Sequence, residues 1–312
     1  MNESMKSAYL TSRRYLRRTL SALGIHDSAF VASLRRLEQR LPLSRFTAVK
    51  NSGVVSYNGL NLRYRYEDRD LAGHIQRTGK YEHETTRTIE SLLGPGMTFV
   101  DAGAHIGYYT VLAAQLVGPE GHVYSFEPVP ATNAILRENV ELNDFLPRAT
   151  IESYAITDHR KTLSFIIDEE NSVSARMVDA SETGVPLEGT SLDEYFGSCA
   201  WPTVHLVKMD IEGAELAGLH GMRELVERNS AIAVIFEVHF QVLSRQGITM
   251  SQLFDELLQM GFARFSILRP DGVKPVGVFR EGVVEIRIPD DLASIAQLPA
   301  DTVFNVLAQK VA

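Results

Sequence analysis

The most constraining feature of the sequence is a glycine turn between a buried strand and an apolar helix. Met97-Thr98-Phe99-Val100-Asp101 ends an apolar run in an acid, and Ala102-Gly103-Ala104-His105-Ile106-Gly107 leads into a helix from Tyr108. A glycine at Gly103 permits a sharp turn and a close approach of backbone to a ligand, because there is no Cβ to clash. The N–H groups at the start of the helix attract a negative group. A chain built around such a turn is expected to have a parallel α/β sheet with its ligand at the strand ends. By itself, the turn is equally compatible with a plain strand-to-helix connection.

The surrounding pattern favours the sheet. Apolar runs at 97–100, 122–126, 149–156, 204–209, 231–236 and 263–268 have the length of buried parallel strands. Helical patterns at 107–117, 131–143, 214–228 and 250–260 separate most of them, with a last strand expected at Val303 to Ala308. Two strand-like runs interrupt the alternation within 162–178. Upstream, residues 53–66 read as a hairpin around Tyr57-Asn58-Gly59, and Tyr81 to Leu93 as a helix. The expected class is α/β: a Rossmann-like, mostly parallel seven-stranded sheet with helices on both faces, preceded by an N-terminal helical extension. The expected division is 1–50 for the extension and 51–312 for the main domain.

Residues 5–23 and 27–41 each repeat apolar residues at helical spacing, with Pro42 as the stop. The first 45 residues carry nine Lys/Arg against three Asp/Glu, leaving −14 of the net −8 on the remainder. The extension either packs as a helical pair, on the body or as a homodimer interface, or presents a basic face to an acidic membrane surface or carrier protein. An acidic body argues against extended nucleic-acid binding. A single cysteine, Cys199, excludes an intramolecular disulfide framework. No apolar run approaches the roughly 18–20 residues of a membrane span, and the N-terminus lacks a secretory-signal pattern. A cytoplasmic protein is expected.

The glycine spacing does not fit G-x-G-x-x-G, since position 105 is histidine. An acid two residues ahead of the first glycine suits a zwitterion better than a pyrophosphate. In S-adenosylmethionine the carboxylate would meet the helix start and the ammonium would meet Asp101. The next strand ends Phe126-Glu127-Pro128, which puts a carboxylate where a nucleoside ribose is held, with Pro128 ending the strand. Asp158, after Ala155-Ile156-Thr157, either accepts the adenine amino group or forms an Asx turn. Asp210, Glu212, Glu237 and His239 close two central strands, as pocket residues or as structural acids, and Glu215 could cap or orient the following helix.

Together these segments resemble the FkbM family of methyltransferases. The resemblance rests on Gly79-Lys80-Tyr81-Glu82, Val100 to Thr110, Phe126-Glu127-Pro128, Ala155 to Asp158, Thr190 to Asp193 and Lys208 to Glu215, in the family's order, over about residues 55–268. It implies a Rossmann-like methyltransferase fold whose sheet ends in a reversed hairpin, with O-methyl transfer to hydroxyls of polyketides, sugars or other secondary metabolites. Asp101, Gly103, Glu127 and Asp158 carry over as cofactor residues, and His105 stands where many members have asparagine. With Glu82, Gly107, Pro128 and Asp210 they make the expected cofactor set.

For an alcohol acceptor a base within hydrogen-bond reach is needed. His239, with an ordinary pKa near 6.5, Asp210, Glu237 and Glu212 are the catalytic candidates. Alternatively Asp210, Glu237 and His239 bind a divalent cation that activates the hydroxyl, the less favoured version. The competing functional readings are N-methylation and a non-catalytic cofactor-binding scaffold. An Asn/Asp-Pro-Pro-Tyr/Phe motif, typical beside nitrogen acceptors, is absent after the fourth strand.

Overall fold

The computed structural model describes residues 52–166, 176–178, 184–270, 282–299 and 301–310. The expected helices at 5–23 and 27–41, and with them the extension, lie outside these residues.

The hairpin is present as β1 (Gly53–Tyr57) and β2 (Leu60–Tyr64), joined at Asn58 and Gly59, both with positive φ. Two helices follow, α1 (Arg69–Thr78) and α2 (His83–Leu92). No helix is expected from the sequence at α1, which lies in a charged stretch and buries only Ala72, Gly73 and Ile75. Gly79, at φ 81, ends it with a backbone N–H to Ile75 O.

The main sheet is built from β3 (Thr98–Ala102), β4 (His122–Phe126), β5 (Ala149–Glu152), β10 (Leu206–Met209), β11 (Ala233–His239), β12 (Phe262–Leu268), β13 (Val283–Ile286) and β14 (Val303–Lys310). Their spatial order is β13-β12-β14-β11-β10-β3-β4-β5. The five strands from β11 to β5 are parallel, and β14 inserts antiparallel between β11 and β12. The protein therefore has a Rossmann-like sheet with a reversed end. It differs from the seven-stranded expectation by β13, which adds an eighth strand antiparallel to β12 at the edge. Val283 and Glu285 of this short edge strand face outward and only Ile286 is buried, so it carries little apolar signal.

A second sheet of four strands, β6 (Ala155–Ile156), β9 (Val185–Thr190), β7 (Lys161–Ile166) and β8 (Arg176–Val178) in that order, is inserted between β5 and β10. The single run expected at 149–156 is thus split between two sheets.

Helices α3 (Tyr108–Val117) and α4 (Pro130–Leu142) cover one face of the main sheet with α1 and α2, around Phe99, Val123, Leu206 and Ile235. The opposite face, around Val100, Val207, Val234 and Phe236, packs α5 (Leu192–Ser198), α6 (Glu215–His220), α7 (Arg223–Arg228) and α9 (Met250–Gln259). Alternate residues of each strand serve opposite faces, and both are buried, which is why the strands read as continuous apolar runs. The helix expected over 214–228 breaks into α6 and α7 at Gly221. A Cβ there would stand 2.2 Å from Thr157 O, so the chain passes too close for a continuous helix bearing side chains. Ser191 opens α5 with a reciprocal capping box to Glu194, an arrangement that contributes about 1 kcal/mol.

This order positions the site. From β3 the chain winds outward through β4 to β5, then returns to lay β10 and β11 on the other side of β3. The direction of winding reverses between β3 and β10, and the crevice above their carboxyl ends is where open α/β sheets bind ligands. No helix of the described residues is long and apolar enough to cross a membrane.

Candidate functional site

A cleft opens at this crevice. One part is lined by Gly103, Ala104, His105, Glu127, Pro128 and Val129, and its far wall by Tyr154, Ala155, Ile156, Leu163 and Phe165. The remainder is bounded by Leu71, Tyr81, Tyr108, Tyr109 and by Lys208, Asp210, Ile211, Glu212 and Ala214.

The floor is the glycine turn. Gly103 has φ 79, and a Cβ on it would lie 1.8 Å from the carbonyl oxygen of Asp210. The turn after β3 and the turn after β10 are therefore in backbone contact, which only glycine permits. Gly107, at φ 90, opens α3, where a Cβ would meet Leu136 Cδ1 at 2.5 Å. Between them His105 takes φ 51.

Glu127 fastens this turn to the next strand. Its Oε2 accepts the His105 backbone N–H at 3.0 Å, and its Oε1 accepts the Val129 N–H at 2.9 Å. The carboxyl is 6% exposed, and burial raises its pKa against the lowering effect of His105. Each oxygen keeps a further acceptor site. The His105 imidazole sits with Nε2 3.3 Å from Asp68 Oδ1.

Asp101 lies one residue deeper in β3 and does not line the cleft. Its Oδ2 accepts from Thr110 Oγ1 at 2.6 Å, and Thr110 Oγ1 is 2.9 Å from Ser125 Oγ. Its Oδ1 is buried with no hydrogen-bond partner among the described residues. Burial raises its pKa, and the nearby Lys208 ammonium opposes this.

Lys208, which the sequence reading quoted without a role, is 1% exposed on β10. Its Nζ bonds Asp210 Oδ2 at 2.9 Å and lies 4.7 Å from the centre of the Tyr109 ring. Burial works to neutralise this ammonium; the carboxylates of Asp210, Glu82 and Asp101 outweigh it and hold its pKa above the ordinary lysine value. Glu82 precedes α2 with φ 42; its Oε2 accepts from Tyr109 Oη at 2.6 Å and Asn305 Nδ2 at 3.1 Å. It supports the Tyr109 wall without lining the cleft.

The acidic loop after β10 holds two carboxyls in different states. Glu215 Oε1 accepts the backbone N–H groups of Ile211 and Gly213 at 3.1 and 3.2 Å, so it orients the loop; burial pushes its pKa up to about 7. Glu212 lines the cleft at φ 54 and makes no hydrogen bond within the described residues. Burial first, then Asp210 and Glu215, push it up to about 8. Of the seven non-glycine residues with positive φ among the described residues, three are Glu82, His105 and Glu212. Such strained positions concentrate at ligand sites.

Asp158, His239 and Glu237 are also outside the cleft lining. Asp158 is exposed and bound by Thr157 Oγ1 at 2.9 Å and Lys161 Nζ at 2.6 Å; burial is outweighed by these bonds, which hold its pKa low. Its place by the wall is taken by Ile156 and by Leu163 and Phe165 of β7, residues that carry no motif. His239 caps α8 (Phe240–Arg245), with Nδ1 accepting the Val242 N–H at 3.4 Å. Burial lowers its pKa, and with Nδ1 accepting, a neutral ring carries its proton on Nε2. Glu237, partly buried, has its pKa raised well above the usual carboxyl value by burial and by Asp210, Glu212 and Glu215. Among the described residues no group of three or more His, Cys, Asp or Glu side chains is arranged to hold a metal.

The residues present suit S-adenosylmethionine on one observation above all: a buried carboxylate oxygen, Asp101 Oδ1, has no protein donor beside a glycine turn at the sheet's switch point. Glu127 with acceptor capacity to spare and an apolar far wall match a ribose and a purine.

Comparison with known proteins agrees. The model of the methyltransferase FkbM domain matches residues 101–264, more than half of the chain. The hexuronic acid methyltransferase AglP of Haloferax volcanii is 30% identical over 195 residues, 62% of this chain and 76% of that protein. A protein-L-isoaspartate O-methyltransferase of Methanothrix thermoacetophila is 41% identical over 78 residues, 24% of this chain and 37% of that one. Apart from AglP, the chain spans 57% or less of the curated relatives it matches. The crystal structure of methyltransferase FkbM from Methylobacillus flagellatus KT superposes with a TM-score of 0.42 at 13% identity, covering 79% of this chain and 56% of that chain. The chain belongs to the FkbM family of S-adenosylmethionine-dependent methyltransferases.

Proposed function

We propose that the protein methylates a hydroxyl oxygen of a small molecule, a sugar or another hydroxylated metabolite, and that Glu212 takes the hydroxyl proton. The observation that carries this is the state of Glu212: cleft-lining, without a hydrogen-bond partner, in a left-handed conformation, and pushed up to about 8. A base is most effective when its pKa lies near the working pH. His239 fits the role less well, because Nδ1 caps a helix and the residue does not line the cleft.

The cofactor supplies a methyl group on a sulfonium sulfur. Asp101, the glycine turn and Glu127 hold and orient the cofactor in this reading, with Ile156, Leu163 and Phe165 excluding water from the base. At the other end Glu212 Oε would take the hydroxyl proton of the acceptor, balancing the loss of the methyl C–S bond that leaves the cofactor as a neutral thioether. Tyr81 and Tyr109 also line the cleft, and aromatic faces there suit a sugar ring. Alignment of acceptor and methyl provides most of the acceleration.

A hydroxyl acceptor is favoured over a carboxylate one. The cleft is lined by Glu127, Asp210 and Glu212 against a single lysine already paired to Asp210. A carboxylate acceptor would add to the acidic surroundings that, with burial, already push the Glu212 pKa up. The likeness to a hexuronic acid methyltransferase supports a sugar-derived acceptor.

The test is transfer of labelled methyl from S-adenosylmethionine to a panel of neutral hydroxylated compounds and uronic acids. Base-stable label on hydroxyls is expected, with Glu212→Gln lowering kcat by about 10²- to 10⁴-fold while S-adenosylhomocysteine binds within threefold of wild type. Base-labile ester label on carboxyls alone, or full activity of the variant, would overturn the proposal.

A further inference from the structure

Behind the glycine turn lies a carboxylate that does not line the cleft itself. Asp68, the residue ahead of α1, has a side chain with 0% exposure. It stands outside residues 101–264, the stretch matched by the FkbM domain. Its Oδ2 accepts the Arg65 backbone N–H at 2.9 Å and the Arg65 Nε–H at 3.3 Å. Its Oδ1 lies 3.3 Å from His105 Nε2. Arg65, one residue past β2, is fixed in turn on α4, where Nη2 donates to Thr132 Oγ1 at 3.3 Å. One buried charge therefore joins the end of the hairpin to a residue of the glycine turn.

His105 is the residue that needs holding. It lines the cleft and takes φ 51, a left-handed conformation that costs a residue with a Cβ about 1–2 kcal/mol. Its backbone is tied to Glu127 Oε2 through the N–H, and its ring faces Asp68. The next residue has a tether of its own, Ile106 O accepting from Asn139 Nδ2 at 2.7 Å. The path of the turn thus has supports besides Asp68. What Asp68 adds is a negative charge at one ring nitrogen. A nitrogen facing a carboxylate carries a proton, so a neutral His105 ring keeps its lone pair on Nδ1. Burying a carboxylate costs several kcal/mol unless it is paired, and here the partners are Arg65 and His105.

We propose that Asp68 is a positioning residue for cofactor binding: it holds the His105 ring in the Nε2–H form as a fixed wall of the cleft beside Glu127, on the nucleoside side. Asp68 acts only through His105. Arg65 anchors the same carboxylate from the hairpin, so the chain leading into α1, whose Leu71 also borders the cleft, is drawn onto the turn. The assignment rests on the nucleoside seat at Glu127 and is independent of the role of Glu212.

Asp68→Asn keeps the shape and removes the charge. With its amide oxygen on the two Arg65 donors, its NH₂ faces His105 Nε2, which must then accept, so the ring proton moves to Nδ1. Nitrogen NMR of the imidazoles in the full chain reads this shift, the His105 signals being those lost in His105→Asn. Calorimetric titration supplies the second readout, with S-adenosylhomocysteine and with 5′-methylthioadenosine, which keeps the nucleoside and lacks the amino-acid end. Both probes are expected to bind Asp68→Asn about 10- to 30-fold more weakly, or about 1.4–2 kcal/mol at 1.4 kcal/mol per tenfold. In a His105→Asn background, where asparagine tolerates the left-handed backbone, the same change at Asp68 should alter either Kd by less than about threefold. A carboxylate that only stabilises the fold would weaken binding equally in both backgrounds, and that result overturns the proposal. So do unchanged Kd values, weakening of S-adenosylhomocysteine alone, or a ring proton that stays on Nε2 in Asp68→Asn. If Asp68→Asn does not fold, wild-type spectra with and without S-adenosylhomocysteine decide: a proton on Nε2 in both supports the assignment, and a proton on Nδ1 in either refutes it.

Discussion

Gly103→Ala is the most exacting perturbation of the fold and site together, because a matched control exists in the same chain. Gly103 and Gly59 have the same φ of 79, but they differ in surroundings: a Cβ at Gly59 meets nothing within 4 Å, whereas at Gly103 it falls 1.8 Å from Asp210 O. The left-handed conformation costs an alanine about 1–2 kcal/mol at either position. At Gly59 that is the whole effect. At Gly103 the carbonyl of Asp210 must also retreat to at least 3.0 Å from the new Cβ. It is backbone, bound into the turn by the Asp210 N–H to Ala102 O at 3.0 Å, so it cannot swing aside as a side chain would. Overpacking of this kind adds roughly 1–3 kcal/mol, so Gly103→Ala is expected to lose about 2–5 kcal/mol in all. Urea unfolding of the two variants measures the difference directly, with calorimetric titration of S-adenosylhomocysteine reporting the cleft. Gly59→Ala should bind like wild type and Gly103→Ala at least 30-fold more weakly. A Gly103→Ala protein as stable as Gly59→Ala, with normal binding, would show that the contact between the β3 and β10 turns does not govern the site.

Two further outcomes are expected. Glu127→Gln keeps one acceptor for the N–H groups of His105 and Val129 and turns an NH₂ toward the other, leaving a buried donor unmet; a loss of about 1–3 kcal/mol in urea unfolding should accompany weaker S-adenosylhomocysteine binding, and a variant as stable as wild type would refute the fastening role. The pH dependence follows from carboxyls whose folded pKa is raised, Glu212 to about 8 and Glu215 to about 7, with Glu237 also well above its usual value. The folded state then binds more protons than the unfolded one, so stability falls as pH rises from the ordinary carboxyl range through about 8. Thermal melting without cofactor between pH 5 and 8.5 should show a declining Tm with a shallower decline in Glu212→Gln; a flat or rising profile would contradict it.

Much of this was legible in the sequence, for reasons tied to particular residues. The apolar runs of β3, β4, β10 and β11 are readable because both sheet faces are buried, and Asp101-Ala102-Gly103 is readable because a polar residue and a glycine interrupt such a run only where the chain must turn. Glu127 was legible by its place at the end of the next strand. Asp158 was not: the sequence shows an acid after a strand, but whether it turns inward or toward Lys161 depends on a neighbour three residues on and on the insertion of β6 to β9. The split of 149–156 between two sheets was hidden for the same reason, since hydrophobic pattern records burial and not which sheet does the burying.

Sequence alone therefore determined the class of the fold, the glycine turn, the acid beside it and the family, because backbone geometry at a strand end admits few residue types. Only the tertiary structure decided how the acids divide their work. Glu215 orients a loop, Glu127 fastens two strands, Glu82 braces Tyr109 and Glu212 stands free in the cleft, although all four are the same residue. Burial, neighbouring charge and the nearest N–H group set those differences, and they come from chain segments far apart in sequence. The juxtaposition of Asp101 and Lys208 is the clearest instance: 107 positions apart in the chain, they become neighbours only through the register of two parallel strands.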